Sequence, residues 1–437
     1  MVNVPWREGR ISVSPRHPAG NFAAVTPAAY IDENSGELLG RLQQLVGIAT
    51  VNPPGAHYAG ATAWLVRELE AVGLSARRFS MPARLMKKHL PVAQHGYPRY
   101  NVLGRWRVRG AVKTLHFNAH YDVVPVSGRW RHGSAFSGGI RGGWIYGRGT
   151  ADMKGSIASL LMALRALRAA GVAPRMNVEI SFTADEETDS QLGAAWLVQH
   201  APIRPDYAVV MEGGEGRAVC CGHNGNLWLE VEVHGQAAHG SMPERGINAL
   251  EKLAALVASL EDYKLTLSRR TWRTPEGRTM RPTLNIGGVF HCGEGAKINT
   301  VPGLASFTID RRVLPVEDHA AAERELQAFL AQAARRIPKC RITVRKVSEN
   351  YSCFAEPRHP IFGTMAQVVT RVRRERAVFS VSRGFNDMHF FSHFLEIPTL
   401  GYGPGGESIH AVDERARVRE LLSCAKIYAG LLTEFAG

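Results

Sequence analysis

Three acids stand side by side in SFTADEETDS, residues 181–190: Asp185, Glu186 and Glu187. They follow an alternating apolar stretch, which places them at the end of a strand. Two unit charges ~4 Å apart repel by about 4 kcal/mol at a surface-like effective dielectric, so solvent or bound positive charge has to offset them. A solvated acidic turn is the plain alternative. Other chemistry-bearing residues occupy similar places. His120 and Asp122 follow the alternating KTLHFNAH, Asp152 lies in GTADMKGS ahead of a helical pattern, and Glu212 ends the apolar DYAVVME. His410 lies far downstream in the Gly-rich GYGPGGESIHAVDE. Taken singly, each has an ordinary explanation: a hydrogen-bonded histidine, a helix N-cap for Asp152, a turn residue for Glu212. Taken together, two histidines and several carboxylates at convergent strand ends match a site for two hard-to-borderline divalent cations. Such cations would also offset the repulsion among the three acids.

Positioning these residues requires a sheet whose strand ends converge. Leu115, Phe117 and Ala119 alternate with polar residues, as do Met176, Val178, Ile180 and Phe182, and both runs read as strands. Between them Met153, Ile157, Leu160, Leu161, Leu164 and Leu167 line one face of a helix that Gly171 and Pro174 stop. Strand, helix, strand, helix, strand is an α/β pattern with a mostly parallel sheet, and ligands of such sheets bind at the carboxyl ends of the strands. Two helices precede it, in SGELLGRLQQLVGIAT and GATAWLVRELEAVG. Residues 81–100 read as an irregular loop. After Cys221 the texture changes to β-α-β-β-α-β, from NLWLEVEVHG to CRITVRKV, which is a self-contained inserted domain.

The chain has 437 residues, which makes two domains the default. No apolar run approaches the ~20 residues of a membrane-spanning helix. The start, MVNVPWREGRISVSPRHPAG, has no apolar core of a secretory signal and reads as a loose surface arm. Six cysteines with no CxxC pair fit a reducing compartment, hence a cytoplasmic location. The net charge is +14, with clusters at 105–109, 268–281 and 371–376. These runs carry few aromatics and no nucleic-acid-binding motif, so a basic surface that attracts anionic substrates is the expectation, with no nucleic-acid or membrane partner. Among catalytic signatures, a phosphate-binding G-x-x-x-x-G-K-[ST], a G-x-S-x-G elbow and H-E-x-x-H are all absent, and the glycines of GRGTADMKG have the wrong spacing for a dinucleotide loop.

HYDVVP, GRGTADMKGS, TADEE, MEGG, GQAAHGSMPERGINA and GPGGESIHAVDE occur in one order and spacing. In this the chain resembles the co-catalytic zinc amidohydrolases and peptidases, a family that includes acetylornithine deacetylase, succinyl-diaminopimelate desuccinylase, aminoacylase and glutamate carboxypeptidases. The resemblance covers nearly everything after about residue 35. It implies a mixed sheet flanked by helices, of the zinc-exopeptidase kind, for residues 1–222 and 350–437, with a lid and dimerisation domain inserted at 223–349. It implies two divalent ions, zinc first, with cobalt and manganese compatible with N and O donors. His120 would bind one metal and His410 the other, with Asp152 bridging, Glu212 on the first and Glu187 on the second. Glu186 would be the general base and Asp122 would orient the His120 ring. His239 would reach the partner subunit's site as an oxyanion donor, and Asn299 and Arg312 would bind a substrate carboxylate. At 382–391 the chain reads SRGFNDMHFF in place of the family's Gly-Gly-Thr/Ser-Asp/Glu, and Arg383 and Gly384 join the substrate-binding candidates there. The implied reaction is removal of an acyl group from an N-acyl amino acid by metal-activated water. Carboxypeptidase or dipeptidase action, or cleavage of another C–N bond such as that of an aromatic amine, is the alternative. Glu rather than Asp at position 212 leans towards deacylase or carboxypeptidase action.

Overall fold

The computed structural model of the chain describes residues 25–293 and 296–437. The expected N-terminal arm, residues 1–20, lies outside the described residues. Two compact units emerge: one runs from the first described residue to Arg217 and includes Thr364–Arg376 and Gly403–Gly437, the other comprises Ala218–Gly363 and Ala377–Tyr402.

In the first unit five strands lie in the order Ser75–Ser80, Tyr100–Trp106, Asn177–Thr183, Thr114–His120, Tyr207–Val210. Tyr100–Trp106 runs antiparallel to both of its neighbours, and the last three strands are parallel, so the sheet is mixed. Every residue of Thr114–His120 and Asn177–Thr183 is buried, because a strand covered on both faces excludes water from both side-chain rows. Register aligns the parallel strands at their carboxyl ends: His120 faces Thr183, and Asn118 faces Val210. The loops carrying Asp122, Asp185–Glu187 and Glu212 therefore leave the same edge of the sheet.

Helix Lys154–Ala169 packs between Ser35–Gly47 and Val418–Glu434, and it is buried on nearly all sides. Its first residue is a fully buried lysine whose Nζ donates to the carbonyls of Leu45 and Ile48 at 3.1 and 2.8 Å, which anchors the helix start. Residues 81–100 are not an irregular loop: Ala83–His89 is a helix and Val92–Gln94 a 3-10 turn. ARLMKKH consists mostly of helix formers, with three basic side chains in the last turn where the helix dipole favours them. Pro91 then prevents continuation. The segment is too short for its apolar period to stand out, and Met86 alone among its residues is buried.

The second unit contains the expected β-α-β-β-α-β order. Its four antiparallel strands lie as Thr283–His291, Leu304–Val313, Gly225–His234, Arg341–Asn350. Leu227, Leu229, Val231 and Val233 alternate inward with Phe307 and Ile309, and meet Leu253, Leu256, Leu260, Leu326 and Leu330 from helices Ala249–Ser268 and His319–Arg336. Both helices start on side-chain caps, Asn248 accepting from Leu250 and Glu251 and Asp318 accepting from Ala321.

Candidate metal centre

The convergent strand ends bring five predicted residues of the first unit into one cluster. His120 Nε2 lies 3.1 Å from Asp152 Oδ1 and 4.0 Å from Glu212 Oε2. His410 Nε2 lies 3.2 Å from Asp152 Oδ2 and 3.2 Å from Glu187 Oε2. Two ligand groups result, His120–Asp152–Glu212 and Asp152–Glu187–His410, and Asp152 belongs to both. The helix-cap alternative for Asp152 fails, since helix Lys154–Ala169 begins after Met153 without a side-chain cap.

The donor set fits cations. His120 Nδ1 lies 3.0 Å from the carbonyl oxygen of Asp122, which can only accept, so Nδ1 carries the proton. In the neutral ring Nε2 then turns a lone pair towards carboxylate oxygens, an arrangement that repels unless a cation lies among them. His410 Nε2 likewise faces two carboxylates, those of Asp152 and Glu187. Hydrogen bonds to Asp152 and then Glu187 push it up to about 10. Burial works against charge on His120, yet hydrogen bonds to Asp122 and Asp152 raise it well above its ordinary value. Burial likewise opposes charge on Asp152, which the two histidines hold below the usual carboxylate range. The cluster thus retains positive charge in whatever form is available. Beside it a pocket is lined by Asp152, Ser156, Met211, Glu212, Gly213 and Gly405, among others.

Asp185 and Glu187, two acids of the triplet, have different surroundings. Asp185 has φ of 62°, and Glu186–Thr188 forms a 3-10 turn after it. This kinked backbone sends Glu187 to His410, while Asp185 turns inward to 2 % exposure. There it accepts from Arg99 Nε at 2.8 Å, Tyr58 Oη at 3.1 Å and Asn52 Nδ2 at 3.1 Å. Burial pushes Asp185 up to about 6, against the lowering by Arg99. Burial also raises Glu187, opposed by its bond from His410. The Asp122 carboxylate lies 3.5 Å from His120 Nδ1 and accepts the backbone N–H groups of Glu186 and Glu187 at 3.2 and 3.3 Å. Asp122 therefore joins the His120 strand end to the Glu186–Glu187 turn.

Sequence reasoning missed Glu414. Its fully buried carboxylate accepts the N–H groups of Gly149, Ala151 and Asp152 at 3.0, 3.0 and 3.1 Å, and Arg148 Nη1 at 2.6 Å. Pairing of Arg415–Arg417 with Trp144–Tyr146 delivers it there. The available signal was its place in HAVDE, four residues after His410. Arg99, Asn52 and Tyr58 were missed too, and nothing local marks them.

The remaining five candidates belong to the second unit and fall into two groups. Strand Ala238–His239 pairs with Thr300–Val301, and Gly240 N donates to the carbonyl of Asn299 at 2.7 Å, which sets His239 beside Asn299. His239 is exposed, its Nδ1 2.7 Å from Ser241 Oγ. Arg312 is paired with Asp310 at 2.9 Å and lies 5.7 Å from the ring centre of Phe385, next to the loop bearing Arg383 and Gly384. In that loop Gly384 N donates to Ser382 Oγ.

The profile of the peptidase family M20/M25/M40 matches residues 116–434. Succinyl-diaminopimelate desuccinylase of Rhodopseudomonas palustris is 26 % identical over 339 residues, 75 % of this chain and 84 % of that one. Its counterpart in Paracoccus denitrificans is 28 % identical over 401 residues, 90 % of this chain and 96 % of that one. The crystal structure of an M20 family metallo-carboxypeptidase from Sulfolobus solfataricus superposes with a TM-score of 0.72 at 20 % identity, covering 91 % of this chain and 98 % of that one. At that identity the likeness establishes the fold.

Proposed function

The chain belongs to peptidase family M20/M25/M40, and we propose that it is a two-metal hydrolase that removes the acyl group from an N-acyl amino acid. The main support is the shared Asp152 carboxylate, whose two oxygens each face a histidine Nε2 that faces a further carboxylate. Residues 1–222 and 350–437 serve as the catalytic domain, and 223–349 as the lid and dimerisation domain. His120, Asp152 and Glu212 would hold one divalent ion, and Asp152, Glu187 and His410 the other, zinc first. Bound there, the ions supply Lewis acidity and lower the pKa of water.

The protein's own groups do the rest. Glu186 belongs to neither ligand group, and its carboxylate would take a proton from water and deliver it to the departing nitrogen. Asp122 holds the Glu186 N–H and the His120 ring in one frame. His239 donates to the developing oxyanion in the partner subunit's site. Asn299, Arg312, Arg383 and Gly384 receive the substrate, with the guanidinium groups suited to its carboxylate. The curated relatives act on a succinylated diamino acid by name, which favours an N-acyl amino acid over a dipeptide. A second copy of the chain suits the edge strand Thr283–His291, which carries no Lys, Arg, Asp or Glu and leaves Val289 and Phe290 about half exposed. Natural monomers blunt such edges with charge, as Arg341, Arg345 and Lys346 do on the opposite edge strand. All six cysteines lie among the described residues and none forms a disulfide, in keeping with a reducing, cytoplasmic setting. Among the described residues no helix is long and apolar enough to cross a membrane.

The test is elemental analysis of the purified protein, light scattering for its mass, and hydrolysis of N-acyl amino acids and dipeptides with and without chelator. Two bound ions, a dimer and chelator-sensitive deacylation are expected. A metal-free protein inactive on every amide would sink the proposal. Glu186→Ala should retain both ions and lose about 10²–10⁴-fold in kcat; an active variant would remove Glu186 from the base role.

A further inference from the structure

Arg99 is a fully buried arginine that no step above uses. Its Nε lies 2.8 Å from each oxygen of Asp185. Its Nη1 donates to the carbonyls of Pro54 and Tyr97 at 2.8 and 2.7 Å, and its Nη2 to Gln94 Oε1 at 2.9 Å. The guanidinium carbon stands 5.3 Å from the Tyr58 ring centre. Three separate stretches, 52–58, 94–99 and the turn at Asp185, therefore meet on one planar cation. Gly55 makes room for it: φ there is +94°, and a Cβ would fall 2.2 Å from Nη1. None of the groups that Arg99 bonds is a metal candidate. Asp185 is instead the residue whose left-handed backbone starts the turn bearing Glu186 and Glu187. A non-glycine residue in that conformation persists where its surroundings over-determine it, and Arg99, Tyr58 and Asn52 do so here.

We propose that Arg99 is a positioning residue for the metal centre: through Asp185 it fixes the turn so that Glu187 joins Asp152 and His410 while Glu186 stays out of the ligand set. The catalytic part of this inference rests on the function proposed above; the positional part does not. The guanidinium fork is needed as well as its charge. A lysine ammonium is a point donor and cannot reach Asp185, Pro54 and Gln94 at once. The helical segment 83–94, with no metal candidate of its own, thus acts on the site as the anchor of Arg99.

Arg99→Lys and Asp185→Asn test this, each by two readouts. In metal-free protein, hydrogen exchange should accelerate in 183–190 and remain as in the wild type in 147–154. In metal titration by calorimetry, one of the two ions should bind roughly 10–100-fold more weakly, with kcat falling by a similar factor and KM nearly constant. Exchange that is unchanged, or equally faster in both segments, would overturn the positioning role, as would wild-type affinity for both ions. A wild-type chain that takes up no metal would defeat the metal-centre reading while metal-free exchange still decides the role of Arg99. Should Arg99→Lys fail to fold, Asp185→Asn, which preserves side-chain shape, carries the same expectations.

Discussion

The two turns that feed the cluster, 147–154 and 183–190, are each fastened by a buried arginine–carboxylate pair, but with opposite polarity. In the first the carboxylate is the visitor: Glu414 comes from 266 residues away from Arg148 and accepts the turn's own backbone N–H groups. In the second the carboxylate, Asp185, belongs to the turn, and the cation Arg99 visits from 86 residues away. A turn fastened through its backbone depends on one acceptor that no other side chain duplicates. A turn fastened through a side chain has several donors, here Arg99, Tyr58 and Asn52. The first should therefore be the more fragile, and its failure the more general, because Asp152 serves both ligand groups while Glu187 serves one.

Glu414→Ala attacks the fragile side directly. It leaves three backbone donors and the Arg148 cation buried without their acceptor, and breaking a buried pair in this way costs about 3–5 kcal/mol. The expected outcome is a large drop in the denaturation midpoint and loss of both ions. Retention of either ion at wild-type affinity would show that the two turns do not differ as argued.

A buried pair of histidines in the second unit sharpens the comparison, since burial there acts against charge on both rings. His223 and His389 meet edge to face with ring centres 5.6 Å apart, and each Nδ1–H donates to a backbone carbonyl, of Asn224 and Asn386 respectively, at 2.8 Å. Burial pushes His223 down to about 4; burial and then the His223 ring push His389 well below its ordinary value. Both are neutral in the fold, whereas in the unfolded chain they titrate near 6.5. Between these limits the unfolded chain binds more protons, so this contribution to stability is complete above pH ~6.5 and is lost as pH falls towards about 4. For His223 alone that is roughly 3 kcal/mol. Urea midpoints measured from pH 7 to 4.5 should fall less steeply for His223→Gln than for the wild type; parallel slopes would remove the pair as the source.

The cluster itself was legible because its members occupy strand ends and loops whose local pattern is strong: alternation before His120 and before Asp185, the apolar run YAVV before Glu212, and glycines around His410. The inserted sheet was legible for the same reason, with Leu227, Leu229, Val231 and Val233 at period two. What fastens the cluster was not. Arg99 stands in YPRYN and reads as one more exposed cation in a chain of charge +14. Its partner lies across a turn whose positive φ at an aspartate no local rule foretells. Glu414 reads as the tail of a loop, and only the pairing of Arg415 with Tyr146 aims it at Gly149, Ala151 and Asp152. Burial of a charge is settled by tertiary partners, and those are invisible to periodicity. The helix at 83–89 escaped for another reason, since at 7 residues it spans barely two turns of apolar repeat.

The smallest effect should come from charge pairs near the surface of the first unit. Arg41 and Arg165 each bridge Glu37 and Glu68, at 2.9 to 3.3 Å, with these side chains 15 to 27 % exposed. Four charges at alternate corners resemble the buried pairs on a contact map, but water reaches them, and ordering four long side chains opposes the Coulomb gain. Arg41→Gln should cost no more than about 1 kcal/mol. Added salt should shrink that difference, because ions screen charges at this exposure, whereas the fully buried Glu414 gives salt little to screen. Unfolding both variants beside the wild type at low and high sodium chloride measures this. A salt-insensitive loss at Arg41 as large as that at Glu414 would mean that burial does not set the rank of these pairs.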